Sequence, residues 1–378
     1  MKKLSPLVAI AVCALSGAAK AQSSVTLYGI IDTGLEYVSH VGAKGDGLVR
    51  MPSITGSVPS RWGIRGSEDL GAGLKAIFTL ESGFNVRGGD MGQGGRLFGR
   101  QAWLGLSSNY GALTFGRQYT MTYVALLEND VMGPAIYSLG SLDNYIPNAR
   151  SDNTVAYKGK FGGVTLGGTY SFGRDSAGTG NSPGQGTCAG SVPGDFQQCH
   201  QWSVMAKYDA QNFGAVATYD QQRGGTNAAA NFFDGVAPTK ITSSGDKDTR
   251  VLLNAYVKFS GATISGGWLG RWVEPAAQTV SSVRSNLFYL GAGYQVTPFF
   301  IVDGTVYRII NRVHDTRATL STVRATYLLS KRTAVYGQLG YITNSPRASY
   351  TLSSGGAGST PSAGANQTGA MIGIRELF

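Results

Sequence analysis

The feature that most constrains this chain is an alternation of apolar and polar residues with period 2, repeated without a break from residue 24 to the last residue. Val251, Leu253, Ala255, Val257 and Phe259 fall on one face, with Arg250, Asn254 and Lys258 on the other. Val25, Leu27, Ile31, Leu35 and Tyr37 likewise oppose Asp32 and Glu36, and Ala76, Phe78 and Leu80 oppose Lys75, Thr79 and Glu81. Period 2 is the signature of a strand with two unlike faces. Roughly sixteen such segments can be placed, among them 24–38, 57–66, 95–108, 111–119, 333–344 and 366–378.

The links between the segments alternate in length. Short ones carry turn residues, as in Asn109-Tyr110-Gly111, Lys160-Phe161-Gly162 and Thr297-Pro298. Long ones rich in Gly, Ser, Asn and Pro lie between them, at 120–151, 173–199, 223–248, 273–284 and 345–365. Short turns at one end and long loops at the other are the arrangement of outer-membrane barrels. In hydrocarbon every backbone N–H and C=O must be paired inside the protein, so a membrane sheet has to close on itself. The expected fold is all-β, a 16-stranded antiparallel transmembrane barrel, with residues 22–378 as one domain. A secreted β-sandwich alternates too, but its polar face points outward, and one uninterrupted meander of sixteen strands argues against it.

The N-terminus supports export. Lys2 and Lys3 precede the apolar run Leu4–Leu15, and Ala19-Lys20-Ala21 fits the small-residue cleavage rule, so residues 1–21 read as a signal peptide. Without Lys2, Lys3 and Lys20 the 32 basic residues fall to 29 against 22 acids, a net charge of +7. Charged residues make up only 14% of the chain, and 55 glycines with 19 tyrosines favour turns and strands over helices. Two cysteines then remain, Cys188 and Cys199, eleven positions apart in one polar loop. In an oxidising compartment they are disulfide candidates. A metal site is the weaker reading, since only His200 lies nearby.

Several stretches, taken in order, resemble the trimeric general porins of Gram-negative outer membranes, in their beta-proteobacterial branch. They are Ser24-Val25-Thr26-Leu27-Tyr28-Gly29-Ile30-Ile31-Asp32, Ser60-Arg61-Trp62-Gly63-Ile64-Arg65-Gly66-Ser67-Glu68-Asp69-Leu70-Gly71, Arg100-Gln101-Ala102-Trp103-Leu104-Gly105-Leu106, Gly111-Ala112-Leu113-Thr114-Phe115-Gly116-Arg117-Gln118-Tyr119 and Ile372-Gly373-Ile374-Arg375-Glu376-Leu377-Phe378. The resemblance implies a homotrimer in outer-membrane lipid that passes ions and small hydrophilic solutes. It implies that Phe378 is read by the barrel assembly machinery. It also implies a third loop, here 120–151, folded into the barrel, bringing Glu128, Asp130 and Asp143 opposite a basic wall. The motif positions for that wall are Arg61, Arg65, Arg100 and Arg150. Parity agrees for Arg61 and Arg65, since Trp62 and Ile64 take the lipid side. Arg100 shares the register of Ala102, Leu104 and Leu106, so either Gln101 and Trp103 face lipid or a bulge intervenes. Arg117 shares the register of Leu113 and Phe115 and is expected at a subunit contact. Glu376 departs from the pattern by lying on the outward row, and is expected near the periplasmic interface, where a charge costs little.

Arginine stays charged at any relevant pH, and four candidate pore arginines against three loop acids lean the channel weakly toward anions. A substrate-selective outer-membrane channel is the main alternative. No enzyme is expected: His40, His200 and His314 have no setting that could support a Ser-His-Asp system. No metal-ligand spacing appears and no cofactor is expected. The glycine pairs Gly71-x-Gly73 and Gly291-x-Gly293 precede no helix, which excludes a nucleotide loop. Basic residues alternate inside strands rather than forming a patch, so no nucleic acid is expected.

Overall fold

The structure is a computed structural model that describes residues 23–145, 149–175, 188, 190–277, 281–353 and 358–378. The proposed leader, 1–21, lies outside them. Sixteen antiparallel strands close into a barrel. In chain order they are β1 (Ser24–Val41), β2 (Arg61–Gly71), β3 (Leu74–Gly83), β4 (Gln101–Ser108), β5 (Gly111–Tyr119), β6 (Arg150–Phe161), β7 (Val164–Ser171) and β8 (Gln201–Asp209). There follow β9 (Phe213–Arg223), β10 (Lys247–Phe259), β11 (Ala262–Glu274), β12 (Val283–Thr297), β13 (Phe300–Asn311), β14 (Thr316–Leu328), β15 (Thr333–Asn344) and β16 (Gln367–Leu377). A short segment, Asp46–Arg50, extends the first loop as a strand beside the upper part of β1. Each strand pairs with its neighbours in sequence. The ring closes where β1 meets β16 in the register Ile31↔Glu376 to Val38↔Gly369. No edge is left with unpaired backbone facing lipid, which is the condition hydrocarbon imposes.

The strand pattern read from alternation holds in number and order. The segments 111–119 and 333–344 coincide with β5 and β15. Two expected strands start too early: β2 begins at Arg61 rather than 57, and β4 at Gln101 rather than 95.

The apolar row faces outward. Leu27, Leu104, Leu290 and Ile372 are among its most exposed members. A sandwich would bury this row, so the sandwich alternative fails. The opposite face of the strands lines a lumen that the loop between β5 and β6 enters. Its residues Tyr137, Leu139, Leu142 and Tyr145 are fully buried there. The C-terminus locks the seam: Gly29 and Phe378 exchange backbone hydrogen bonds of 3.0 and 3.1 Å. The Phe378 ring lies over Gly29, where a Cβ would sit 2.2 Å from the ring, so a larger residue at 29 would push the terminal side chain off the seam. Glu376 pairs with Ile31 and with Thr333, the first residue of β15, which places it on the outward row beside the short turn between β14 and β15. Cys188 and Cys199 are joined by a disulfide, with Cα atoms 5.1 Å apart.

Candidate functional site

The third loop lies against the lumen face of the barrel wall. The loop starts as a helix, Met121–Asn129, whose N-terminus is capped by the Thr120 side chain accepting from the Tyr123 N–H. Met121 N–H donates to Ser203 Oγ at 2.9 Å, and Thr122 and Thr218 share a hydroxyl bond of 3.1 Å, so the helix lies along the lumen side of β8 and β9. Farther on, Tyr307 of β13 donates to the Asp130 carboxylate, at 2.9 Å from each oxygen. Arg324 of β14 donates to the carbonyls of Val131 at 3.1 Å and Met132 at 3.4 Å. Gln338 of β15 donates to the Tyr137 carbonyl at 3.2 Å, and the Tyr137 ring fills the space left by Gly369, where a Cβ would meet its hydroxyl at 2.6 Å. The loop then returns: Arg250 of β10 donates to Asp143, Nε to Oδ2 at 3.0 Å, and its guanidinium lies 4.2 Å from the Tyr145 ring centre.

The three loop acids are thus placed unlike one another. Asp130 and Asp143 are buried and turned into the barrel wall, where they hold the loop in place. Burial raises the Asp130 carboxyl from its ordinary 3.8 to about 6, against the lowering effect of the Tyr307 hydrogen bond. Glu128 remains half exposed and is paired with Lys207 of β8, which also reaches Asp209 at 3.0 Å. None of the three stands as an unpaired carboxylate facing the opposite wall.

That opposite wall is built on β1 to β6. Arg61 and Arg65 flank Gly63 on the lumen face of β2, as parity requires. Arg65 is exposed and lies 5.3 Å from the Tyr28 ring centre. Arg100 precedes the first ladder pair of β4, Glu81↔Gln101, where strict alternation no longer applies. Leu104 stays outward, and Gln101 and Trp103 pair with the lumen-facing Glu81 and Thr79. Lipid-facing Gln101 and Trp103 are thus excluded, whereas the Arg100 N–H donates to the Glu81 carbonyl at 3.1 Å, so that Arg100 and Gln101 both face Glu81, as at a bulge. The Arg100 guanidinium turns inward, Nε donating to Glu81 Oε1 at 2.7 Å and Nη2 to the Tyr119 hydroxyl at 2.8 Å. Arg150 opens β6 and stacks 4.8 Å above the Tyr119 ring, which itself stacks on Tyr123 at 4.2 Å.

Glu81 is the hub that alternation alone does not single out. One carboxylate accepts from Arg100, from Tyr119 at 3.0 Å and from Tyr28 at 2.9 Å, and lies 3.6 Å from Arg61 Nε. Its lumen parity is legible in the sequence; its partners depend on how β2, β3 and β5 register. Two of the wall's arginines, Arg61 and Arg100, thus meet on this carboxylate, while Arg65 and Arg150 lie against the Tyr28 and Tyr119 rings that donate to it. Arg117 is not part of the wall. It pairs with Ala102 on the outward row, next to a bulge between Gly116 and Gln118. Its Nη1 donates to Asp152 at 2.6 Å and its Nε to the Gly99 carbonyl at 2.7 Å.

With this geometry in place, similarity to known proteins decides the family. A model described as Gram-negative porin matches residues 8–347. This chain belongs to the Gram-negative porins. It is 32% identical to outer membrane porin protein 32 of Delftia acidovorans over the whole of both chains. It is 31% identical to an outer membrane porin protein of Bordetella pertussis, covering 91% of this chain and 95% of that one. Among solved structures it resembles an anion-selective porin from Comamonas acidovorans, with a TM-score of 0.78, 27% identity, and coverage of 94% and 100%. This porin is an outer-membrane diffusion channel for small solutes.

Proposed function

We propose that this porin admits anions in preference to cations, by passive diffusion between the arginine wall and the third loop, and that it carries out no chemical step. The observation that carries the reading is an imbalance: Arg61 and Arg100 share the one carboxylate of Glu81 and exposed Arg65 lies beside the Tyr28 ring, while on the loop Asp143 is paired with Arg250, Glu128 with Lys207, and Asp130 is buried against Tyr307. The gap is then lined by positive charge. Screening over about 8–10 Å at physiological salt confines its effect to the narrowest point. The anion-selective title of the Comamonas relative favours the same sign. Residues 1–21 serve as the export leader in this reading. The protein works as a homotrimer, Arg117 and its Asp152 partner lie near a subunit contact, and Phe378 is offered to the assembly machinery.

The test is planar-bilayer recording across a KCl gradient. A reversal potential of anion-selective sign is expected, with conductance steps in threes. A potential of cation-selective sign ends the proposal. Saturable flux or block by one sugar, organic acid or phosphate would instead mark a substrate-selective channel.

A further inference from the structure

The outward face of the barrel is not uniformly apolar. At the ends of β12, β13 and β14 that carry the long loops, Arg284, Arg308 and Arg317 are all exposed. Arg308 stands across from Phe288, and lies two residues beyond Val306 on the same strand; both are among the exposed apolar residues of the outer face. Arg317 pairs with Ile310, two residues further along β13. That makes Arg308 and Arg317 diagonal neighbours, roughly 7–8 Å apart and within reach of each other's long side chains. Arg284 stands opposite Trp272. Among the described residues none of the three arginines has a carboxylate within salt-bridge distance. Arg308 donates to the Thr319 hydroxyl. Glu274, exposed nearby, stands across its ladder from Lys247 and diagonal to Arg284, leaving Arg308 and Arg317 as the pair without an acid beside it in the ladders.

Aromatic rings lie against this patch. Trp268 pairs with Phe288, packs edge-on against Trp272 with centroids 6.0 Å apart, and donates to Asn286 Oδ1 at 2.9 Å. Tryptophan with an engaged N–H marks the boundary between hydrocarbon and headgroups. The corresponding outward positions on β1, β15 and β16 are Ser39, Thr343 and Thr368, none of them basic. Like charges placed diagonally repel, and cations on the lipid face are costly unless they reach the interface. An anion held between them removes both penalties, and guanidinium groups grip phosphate oxygens in pairs.

We infer that Arg284, Arg308 and Arg317 form a binding site for the phosphate groups of the glycolipid in the outer leaflet, with the Trp268 and Trp272 rings packed against its acyl chains. The site lies outside the channel and is independent of its selectivity.

The test uses the full-length porin in mild detergent, titrated with diphosphoryl lipid A and with the same lipid stripped of its phosphates, bound lipid being counted by native mass spectrometry. Wild type is expected to retain the phosphorylated form at least about ten-fold more tightly, and R308Q/R317Q to lose that preference with conductance unchanged. R65Q, altered in the lumen, is expected to keep it. Equal retention of the two lipids by wild type overturns the inference, and this arm needs no variant to fold. So does wild-type retention in R308Q/R317Q, or an equal loss in R65Q.

Discussion

Two sets of arginines face each other across the lumen, and they differ in how many carboxylates they meet. On the far wall Arg250 lies between Asp143 and Asp248, Arg271 holds Asp248 at 2.7 Å, and Arg324 holds Asp303 at 2.9 Å. Each is matched by an acid, and Arg250 and Arg324 also hold the third loop directly. On the near wall Arg61 and Arg100 share Glu81, Arg65 lies beside the Tyr28 ring, and Arg150 stacks on Tyr119. Residue type is the same on both sides. On the proposed reading, the ratio of partners is what separates a structural clamp from a wall that acts on solutes.

The largest effect is expected from breaking the clamp. Arg250→Ala leaves buried Asp143 and Asp248 without a shared cation, and such a loss costs about 3–5 kcal/mol. The barrel should melt earlier, and the loop should leave its seat, read as a higher single-channel conductance. Wild-type melting and conductance would show that the far wall is not a clamp. The near wall should answer in the opposite way. R61Q/R65Q is expected to leave melting unchanged and to lower the anion-to-cation permeability ratio by about three- to ten-fold. The basis is roughly 1 kcal/mol per unit charge at close range in a water-like medium, reduced by salt. An unchanged reversal potential would remove these two arginines from the selective wall. Glu81→Gln sharpens the contrast, because it deletes the counter-charge that Arg61 and Arg100 share. A rise of about two- to five-fold in anion preference is expected on the same Coulomb estimate, and a fall would mean that Glu81 acts mainly by holding Arg100 in place.

The difference between the walls explains what could be read from the chain. Barrel, strand number and the lumen side of Arg61 and Arg65 follow from a local rule, side chains alternating along a strand. Arg100 escapes that rule because it and Gln101 both face Glu81 at the start of β4, which breaks the alternation there. Arg117 follows the rule, and its outward register was legible. Its partner Asp152 was not, because a bulge brings the two together. The loop acids were legible as acids, but their directions depend on contacts such as Asp130 with Tyr307, 177 residues away. Long-range contacts of this kind leave no local pattern. Glu81 falls between these cases, its face set by alternation and its partners by register.

The smallest effect concerns Asp130, which belongs to the loop but is seated in the far wall. Its carboxyl titrates near 6 rather than 3.8, because burial disfavours the charged form. A raised acid favours folding while protonated, so its unfavourable contribution is absent below about 3.8, grows as pH rises, and is complete above about 6. Between pH 7 and pH 5 the loop therefore loses one negative charge. If the far wall is a clamp whose charges are matched, neutralising one of them deep in its seat should shift selectivity only slightly. A rise in anion preference of less than about two-fold is expected, well below one fully exposed charge, and Asp130→Asn should abolish the step. Reversal potentials recorded at the two pH values decide it. A step as large as that of R61Q/R65Q would mean that Asp130 faces the solute path, and the division between clamping wall and selective wall would have to be redrawn around it.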